Sequence, residues 1–547
     1  TSQPYAMALR AQAALKRARG DDAAAARLFE QAGDLLAATN GAEDRFVLAT
    51  RTDHANCFVQ LGRDAEAEGL LRELLGIRRR VFGDDDNDTQ IGVNSLAVVL
   101  HRLGQLDEAE TLYREAAAAG ERRFGALHPD TLTARLNLAS MLHSRGNTTA
   151  AEPMMVAVLA DLRRVFGVEH GQTAIACRTL GELYKDLGRF RDAAPLLQES
   201  VAILTRAEGA DSLAAAEAKG ALAIVSKRLG DVAQAVQLQR EVATAYAARF
   251  GERHDRTLHA RLNLANSLVD PTEGAAAEAI FEDVLGISEA ALGATSSVHI
   301  IANNSYGVFL MARDRYADAE PYVRRALDLG AEAEGEEHQN TVITRYNLAC
   351  IELELGKLAE AEGLHRACAD AFARVFGAQH PNTAAARGGL GRALARLGRT
   401  DEARAEFEAA IGICKAALGA QNQGFCDHAL ELGRLLCETG QAAAAEPVLQ
   451  EAAAVYTKAR GLDDRRTANT RLELGHCLQL LGRFAAAEPL LTASLATLAK
   501  TRPEGHRDRK RAVRHLAAFY AAWQAAAPDP ARAAQAAEWQ GRAAGLR

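Results

Sequence analysis

Asparagine recurs in the middle of predicted helices of this chain, where its side chain could bind a ligand. A primary amide carries two donors and an acceptor, which suits the backbone of an extended peptide. Asparagine is a poor choice in the middle of a helix, because its side chain competes for backbone hydrogen bonds. Its repeated use therefore indicates either ligand contact or bonding between neighbouring helices. The asparagines concerned are Asn94, Asn137, Asn263, Asn266, Asn304 and Asn347.

Motifs that would support catalysis are missing from the sequence. It holds no phosphate-binding loop, no HExxH motif, no nucleophile elbow and no paired cysteine and histidine ligand spacing. The Gly-Gly-Leu-Gly cluster at residues 388–391 lies inside a predicted helix and indicates close helix packing. Histidines that recur in loops with a fixed period are interpreted as structural: His128, His254, His338 and His380. We therefore expect no enzyme activity, no cofactor and no metal.

Composition limits the partner and the compartment. The net charge is −7 and the pI is near 6.1, whereas nucleic-acid binders more often show a strong basic excess. No run of 18 apolar residues occurs, so no membrane insertion is expected. Eight cysteines, none in a CxxC pair, suit a reducing compartment, and we expect a cytoplasmic location. The interior of an organelle, after removal of a leader not present in this chain, is the alternative.

A strict repeat indicates the elements that must position the asparagines. Glycine stands at one position every 42 residues, eleven times in succession from Gly41 to Gly461. A fixed period of roughly 20–50 residues is typical of repeat proteins. Alanine follows the same period twelve times, from Ala25 to Ala487. Five residues before each alanine lies a turn position, which is glycine in ten of twelve repeats, among them Gly20. The exceptions are Thr272 and Asp314.

These columns predict two helices in each repeat. In one repeat, helix A is expected over residues 131–145 and helix B over residues 149–166. Gly146 and Gly167 are expected to end them, because glycine accepts a left-handed conformation after a helix. Asp130 is the expected N-cap of helix A. The alanine column lies near the start of helix B, where a small side chain lets the two helices approach closely.

Two segments carry a resemblance to a known family. Residues 128–155 read HPDTLTARLNLASMLHSRGNTTAAEPMM, and residues 338–364 read HQNTVITRYNLACIELELGKLAEAEGL. With an HPDT-like loop, NLA in helix A, LG at the turn, AE(P) in helix B and FG at its end, they resemble the 42-residue tetratricopeptide repeats of the kinesin light chain-like family. The resemblance implies an all-α fold, a right-handed α-solenoid superhelix of tetratricopeptide helix pairs. It also implies that helix A lines the concave surface and helix B the convex one.

The resemblance covers residues 1–503, which we interpret as twelve repeats in one continuous solenoid. Residues 504–547 fall out of phase and are predicted to form a divergent capping helix pair, since a solenoid must cover its last apolar face. The basic run at residues 506–511 is expected to be a solvated helix face, with a localisation or acidic-partner patch as the alternative. The heptad coiled coil that precedes the repeats in kinesin light chain is not found. The seventh repeat is the least regular, and residues 269–271 are interpreted as drift or as a local bend.

Counting back from the turn position identifies the groove face of helix A. Because a helix turns about 100° per residue, positions −13, −10, −9, −6 and −3 share one face. The asparagines lie at −10, −9 and −6 on this face. The predicted peptide-binding residues are Asn94, His101, Asn137, His143, Arg178, Lys185, Lys227, Asn263, Asn266, Asn304, Tyr346 and Asn347.

Position −3 differs between the two halves of the chain. In the first half it is basic: Arg17, His101, His143, Lys185 and Lys227. In the second half it is not: Val269, Met311, Leu353, Ala395, Cys437 and Gln479. We therefore expect a groove that is cationic in its N-terminal half and more apolar beyond, which favours an acidic peptide. Five ordinary surface charges are the alternative interpretation.

Two other patterns are interpreted as unrelated to the groove. An arginine column at position −11 lies about opposite to the groove face, so its members are expected to pack between helices and pair with carboxylates. They are Arg51, Arg135, Arg261, Arg345, Arg387 and Arg471. A clamp of the chaperone-adaptor kind needs a cation at −10 with asparagine at −6, but Thr52 accompanies Asn56, and Leu262 accompanies Asn266. No binding of chaperone tails is expected.

Together these patterns predict a protein–protein interaction scaffold or adaptor whose concave groove binds an extended acidic peptide or a partner helix. The alternative is an architectural subunit built into a larger multiprotein assembly through its edges and convex face. In either case the partner is expected to be a protein or peptide, with no nucleic acid and no membrane insertion.

Overall fold

The computed structural model describes residues 2–18, 21–419 and 422–546, and helices joined by short turns and loops account for these residues. No strand occurs among them, so the all-α class is confirmed for this part of the chain. Two compact units are present, one ending at Ala291 and one beginning at Leu292. Each is a stack of helix pairs. The single continuous solenoid stays a prediction, and Gly20 lies outside the described residues.

The first unit contains seven helix pairs, which are α1 to α14. Their bounds are α1 Ser2–Ala18, α2 Asp22–Asn40, α3 Arg45–Gln60, α4 Asp64–Phe82, α5 Asn87–Arg102, α6 Leu106–Phe124, α7 Pro129–Ser144, α8 Thr148–Phe166, α9 Gly171–Asp186, α10 Phe190–Glu208, α11 Leu213–Leu229, α12 Val232–Phe250, α13 Asp255–Ser267 and α14 Gly274–Leu292, whose last residue begins the second unit. Odd-numbered helices correspond to helix A and even-numbered helices to helix B.

The second unit contains six further pairs. Their bounds are α15 Ser297–Met311, α16 Tyr316–Ala333, α17 Gln339–Leu355, α18 Leu358–Val375, α19 Pro381–Arg396, α20 Thr400–Leu418, α21 Cys426–Glu438, α22 Ala442–Arg460, α23 Arg465–Leu480, α24 Phe484–Thr501, α25 Arg507–Ala526 and α26 Pro530–Ala544. Short 3₁₀ helices precede α14 and α21, at Pro271–Glu273 and Gln423–Phe425.

Histidines of the loops between repeats cap several of the A helices, whereas aspartates cap others. Nδ1 of His128 accepts a hydrogen bond from the backbone N–H of Asp130 at 3.3 Å, so the predicted Asp130 cap is wrong and α7 begins at Pro129. Proline is tolerated there because its missing N–H has no partner in the first turn. The His128 ring also stacks on Phe124 at 4.4 Å between centroids. The same stacking and capping recur at His170, His254 and His380, so the predicted structural role is confirmed for His128, His254 and His380. His338 makes no side-chain cap, and its Nδ1 lies 2.6 Å from Glu334.

The two glycine columns adopt different backbone conformations. Gly125 of the 42-residue ladder has φ 88° and ψ 165°, a region essentially restricted to glycine. The turn residue Gly230 has φ 95° and ψ 0°, near the left-handed helical region that asparagine and aspartate also visit. Asp314 occupies one such turn with φ 59°. The difference explains why the ladder never departs from glycine, whereas the turn column does.

A matched pair of substitutions tests this explanation. We expect Gly125→Asn to lower the free energy of unfolding by about 1 kcal/mol more than Gly230→Asn, because only the first forces asparagine into the glycine-only region. A Cβ at either position meets no atom within 4 Å, so packing does not differ. Urea unfolding of the two variants measures the difference. Equal losses would show that the backbone conformation is not the cause.

Close approach of paired helices depends on small residues on both sides. All twelve alanines of the column, from Ala25 to Ala487, are fully buried, which confirms the predicted contact. Facing them, Gly391 of α19 lies so close to α20 that a Cβ would meet the Phe407 ring at 2.8 Å. In the same cluster, a Cβ on Gly388 would overlap His428, and one on Gly389 would overlap His365. The interpretation of residues 388–391 as close helix packing is therefore confirmed.

The glutamate of the AE(P) motif joins one repeat to the next. Glu152 accepts a hydrogen bond from Arg189 at 2.7 Å, and Glu446 accepts one from Arg483 at 2.6 Å. Each arginine directly follows the turn glycine of the next repeat. Glu320 with Lys357, and Glu362 with Arg399, form the same contact. These pairs are solvent-exposed, so each contributes little to the stability of the stack and is screened by salt.

The last two helices continue this pattern at the end of the second unit. Glu488 of α24 accepts a hydrogen bond from the Tyr520 hydroxyl of α25 at 2.8 Å, in place of an arginine from a further repeat. Trp523 stacks on Phe484 with 5.9 Å between ring centroids. Apolar rings of α25 thus cover the end of α24. This packing fits a cap, and the capping role of residues 504–547 stays a prediction.

The basic run at residues 506–511 is not simply a solvated face. Arg507 pairs with Glu354 at 3.0 Å, and Arg511 lies 3.5 Å from Glu473. Arg509 donates to the backbone oxygen of Arg502, and Asp508 is buried. The first turn of α25 is therefore solvated only in part: the Arg507 side chain is exposed, whereas its neighbours are half-buried or buried against other helices of the same unit.

The irregular seventh repeat shows a local change of structure. Helix α13 ends at Ser267, and the Asp270 side chain accepts hydrogen bonds from the N–H and hydroxyl of Thr272. A 3₁₀ turn at Pro271–Glu273 then leads into α14. Residues 269–271 therefore replace the last turn of helix A with a side-chain-supported turn.

Candidate functional site

Odd-numbered helices lie side by side along one face of each unit. In the first unit α3 contacts α5, and α9 contacts both α7 and α11. In the second unit, contacts run in order through α15, α17, α19, α21, α23 and α25. Side chains on this face therefore meet those of neighbouring repeats. The predicted groove residues belong to these helices.

Four of the predicted asparagines form two pairs across neighbouring A helices. The side-chain amide of Asn137 donates to Oδ1 of Asn94 at 3.1 Å, and Asn347 donates to Oδ1 of Asn304 at 3.0 Å. All four side chains are half-buried. Bonding between helices, one of the two interpretations offered by the sequence, thus accounts for their position. Each amide keeps further donor and acceptor capacity, and contact with a peptide stays a prediction.

Lys227 contacts one of the two remaining asparagines. Its ammonium donates to the backbone oxygen of Asn266 at 2.5 Å. Burial lowers the pKa of Lys227. Asn263 is exposed on the same helix as Asn266. Of these three residues, only Asn263 presents its side chain openly to solvent.

Carboxylates of the same face match the cations of the first unit. His143 Nε2 lies 3.0 Å from Asp186, and Lys185 lies 3.3 Å from the other oxygen of that carboxylate. Arg178 pairs with Glu182 at 2.9 Å. The cationic N-terminal groove expected from position −3 is therefore partly neutralised internally. The basic residues at position −3 could not reveal this neutralisation, because the carboxylates lie at other positions relative to the turn residue.

Two predicted groove residues pack between helices. His101 meets Tyr113 edge-on at 6.4 Å between centroids, and burial lowers its pKa, so it is neutral at pH 7. The Tyr346 ring lies against His365 and Phe372 of α18, and burial raises its pKa. Their rings contact the paired helix B. The 100° rule places a Cα on a face, but a long side chain at its edge turns toward the nearer apolar neighbour.

Five of the six arginines at position −11 pair with carboxylates, as predicted. Arg51 lies 3.8 Å from Asp34, Arg135 lies 3.6 Å from Asp161, and Arg387 lies 3.8 Å from Glu406. Arg261 pairs with Asp283, and Arg345 with Glu336. Each pair joins side chains away from the groove face.

A cavity of about 720 Å³ lies on the A-helix face of the second unit. Helices α17, α19, α21, α23 and α25 contribute its walls, together with Phe407 of α20. We call it the arginine cavity. Its lining includes seven arginines and five carboxylates. The arginines are Arg392, Arg396, Arg434, Arg465, Arg466, Arg507 and Arg511. The more apolar C-terminal groove expected from position −3 is wrong here, since arginines at other offsets determine its character.

A buried carboxylate fixes one wall of the arginine cavity. Glu473 of α23 is 2% exposed and lies 3.1 Å from Arg434 and 3.5 Å from both Arg511 and His515. Burial alone would raise the pKa of Glu473, but the His515 contact and the charges of Arg434 and Arg511 hold it below its usual range. Arg434 also pairs with Glu431 at 3.0 Å. The cluster ties α21, α23 and α25 together.

Three arginines of the cavity have no carboxylate partner. In the described part of the chain, no carboxylate lies within ion-pair distance of Arg392, Arg396 or Arg465, although Arg396 donates to the backbone oxygen of Leu353. Guanidinium groups present planar pairs of N–H donors that match carboxylates. These three guanidinium groups therefore offer donors that no carboxylate of the cavity occupies.

A signal for this site was present in the sequence at position −6. Arg392 and Arg434 occupy the offset at which Asn56 and Asn266 were considered, on the face already assigned to the groove. Arg396, Arg507 and Arg511 lie outside the groove offsets and could not be assigned from the repeat. Among the described residues, no group of three or more histidine, cysteine, aspartate and glutamate side chains is arranged to hold a metal ion.

Comparison with known families identifies the repeats. A family model described as tetratricopeptide repeat matches residues 88–160, 134–206, 297–372, 351–416 and 426–500, and a second model of the same description matches residues 47–88. The chain belongs to the tetratricopeptide repeat family. The helix pairs and their glycine and alanine columns are thus those of tetratricopeptide repeats.

Similar solved structures include other tetratricopeptide proteins. Two are of a Podosopora anserina protein described as a kinesin light chain with nearly identical repeats, 22% identical, covering 37% of this chain and 94–95% of that chain, with a TM-score of 0.33. A third is BtubC from P. vanneervenii, 20% identical, covering 43% of this chain and 92% of that chain, with a TM-score of 0.35. No curated protein sequence matches the chain.

Among its described helices, none is both long and apolar enough to cross a bilayer.

Proposed function

We propose that this tetratricopeptide protein is an interaction scaffold whose groove binds an extended acidic peptide, with the acidic side chains held in the arginine cavity. Tetratricopeptide repeat proteins generally mediate protein–protein interactions. The observation that carries the finer proposal is the set of three arginines, Arg392, Arg396 and Arg465, that line one cavity without a carboxylate partner.

The chemistry of the cavity suits carboxylates. A guanidinium forms two parallel hydrogen bonds with a carboxylate, and such charge-assisted bonds are stronger than neutral ones. The Asn304–Asn347 pair lies on α15 and α17, the A helices that lead to the cavity, and offers amide groups for a peptide backbone. The acidic side chains of the peptide would thus bind the arginines, and its backbone would bind the asparagines, on the A-helix face of the unit.

Charges on the even-numbered helices support the groove over the architectural alternative. Arg324 pairs with Glu360 of the next repeat at 2.9 Å, and Lys415 pairs with Glu451 at 2.7 Å. These ion pairs engage charged side chains of the B helices in contacts between neighbouring repeats. The three arginines that carry the proposal, in contrast, lie on the A helices.

Charge reversal in the cavity tests the proposal. We expect the double variant Arg396→Glu and Arg465→Glu to bind fluorescein-labelled octaglutamate at least about tenfold more weakly than the wild type, because two attractive charges become repulsive. Fluorescence anisotropy measures the dissociation constants. The matched control is Arg366→Glu with Arg404→Glu, which makes the same charge change at exposed sites on α18 and α20.

The control is expected to stay within about twofold of the wild type, since exposed charges away from the cavity are screened by salt. Equal weakening in both double variants would mean that net charge, and not the cavity, sets the affinity. A further variant, Asn137→Ala with Lys185→Glu and Asn263→Ala, tests whether the first unit adds to binding.

Further properties of the protein stay predictions. The scaffold is proposed to be non-catalytic, without a cofactor or metal, to reside in the cytoplasm and to bind protein and not nucleic acid. Their common basis is the repeat architecture and the acidic composition.

A further inference from the structure

The first turn of α25 reaches across the second unit to residues far away in sequence. Arg507 pairs with Glu354 of α17, 153 residues earlier, at 3.0 Å. His506, the N-cap of α25, places Nε2 3.9 Å from a carboxylate oxygen of Asp314. We call these four residues the groove clasp. Arg507 and Glu354 also line the arginine cavity, so the clasp lies at its edge.

The protonation of His506 suits the contact with Asp314. Its Nδ1 accepts a hydrogen bond from the backbone N–H of Asp508 at 3.1 Å. The proton of a neutral ring must therefore be on Nε2, the atom that faces Asp314. His506 is only 10% exposed at its side chain, and the Tyr316 hydroxyl donates to the other oxygen of Asp314 at 3.1 Å. Both ends of the contact are thus held in place.

Asp314 is the one non-glycine residue with positive φ in the described part of the chain. Its backbone occupies a region that costs free energy for residues other than glycine, and such strain persists only where surrounding contacts hold it. Nine described turns of the same column have glycine. Among the described turns of this column, only this one has an aspartate, and its carboxylate lies opposite His506.

The clasp resembles a bound acidic ligand. Glu354 pairs with Arg507, which lines the arginine cavity, in the way that a carboxylate of the acidic peptide is proposed to pair with the other arginines of that cavity. The Arg507 side chain is 60% exposed, and exposed ion pairs are weak and screened by salt. A ligand with several carboxylates can therefore replace this contact.

We propose that the groove clasp is an autoinhibitory contact, in which Glu354 and Asp314 occupy Arg507 and His506 and an acidic peptide must displace them to enter the arginine cavity. The inference rests on the proposed function, since it concerns access to the same cavity. No covalent step is involved.

Locking the clasp tests the proposal. In the full chain, the double variant Glu354→Cys and Arg507→Cys is bridged by a bis-methanethiosulfonate reagent and later released with reductant. The native cysteines are buried or half-buried. We expect the bridged protein to associate with labelled octaglutamate at least about tenfold more slowly than the same protein after release, as measured by stopped-flow fluorescence. Equal association rates before and after release would overturn the clasp.

Single charge removals provide the matched control. Glu354 and Glu438 both lie two residues before a turn glycine and both line the cavity, but only Glu354 belongs to the clasp. Glu354→Gln is expected to raise the association rate about 2- to 5-fold over Glu438→Gln, in line with the weakness of an exposed pair. Equal rates would assign the effect to cavity charge alone and contradict the clasp.

The outcomes separate the two proposals. If the wild type binds octaglutamate and the bridge has no effect, the clasp is wrong and the proposed function stands. If octaglutamate binds neither the wild type nor the released or substituted proteins, the proposed function fails, and the clasp fails with it as a gate.

Discussion

Replacing Glu473 by glutamine is expected to lower the free energy of unfolding of the second unit by about 3–5 kcal/mol. The substitution removes the one carboxylate shared by Arg434, Arg511 and His515, and the side chain of Glu473 is almost completely buried. Arg434 keeps its pair with Glu431, but Arg511 loses its carboxylate. Removing one partner of a buried ion pair costs more than the pair contributed. Urea unfolding followed by circular dichroism measures the loss.

The same residue predicts a dependence on pH. The pKa of Glu473 is below its ordinary value of 4.5 in the folded protein, because His515, Arg434 and Arg511 outweigh the effect of burial. Its contribution to stability is therefore complete above pH 4.5 and is lost as the pH falls toward the lower folded pKa. Between about pH 5 and pH 2, we expect the wild type to lose stability more steeply than Glu473→Gln.

Glu438→Gln is the matched control for both measurements. Glu438 lines the same cavity but is exposed, so its loss is expected to change the free energy of unfolding by less than about 0.5 kcal/mol. If the two variants were equally stable at pH 7, the buried cluster would not be what holds α21, α23 and α25 together.

Gly389→Ala is expected to destabilise the second unit by about 3 kcal/mol, at the upper end for an overpacked core. The added Cβ would overlap the His365 ring, which is fully buried and held edge-on against Tyr346 at 5.6 Å between centroids. His365 has little room to move away. Differential scanning calorimetry on the full chain measures the shift in the transition of this unit.

An exposed glycine of the neighbouring helix supplies the comparison. A Cβ on Gly363 of α18 meets no atom within 4 Å, so Gly363→Ala is expected to stabilise the helix by up to about 1 kcal/mol, since alanine has the better helix propensity. Destabilisation of similar size at both positions would show that helical glycine itself, and not contact with His365, is what the protein requires.

The repeat period predicted the fold because each recurring glycine or alanine is required by one local feature of its own repeat. The ladder glycines have a backbone conformation that other residues avoid, and the column alanines fill a contact with no room for a larger side chain. The N-cap was missed at Asp130, because the stacking of His128 on Phe124 depends on two side chains from different helices. Such pairwise contacts do not follow from spacing along one helix.

The candidate site was less predictable, for a related reason. Position along helix A placed Asn137 and Asn347 correctly beside the next A helix, but not their hydrogen bonds to Asn94 and Asn304. The arginine cavity combines five A helices, and Arg507 belongs to the out-of-phase segment to which the repeat offsets do not apply. Contacts across more than one repeat depend on the curvature of the stack, which the period does not encode.

The central claim, that acidic ligands bind on the A-helix face at the arginine cavity, is tested most directly by arginine footprinting. The full chain is treated with a dicarbonyl reagent, with and without octaglutamate, and modification of each arginine is mapped by mass spectrometry. We expect octaglutamate to protect Arg396 and Arg465, and to leave Arg366 and Arg404 of the B helices as reactive as before. Protection of the B-helix arginines alone, or of no arginine while the peptide is bound, would contradict the account.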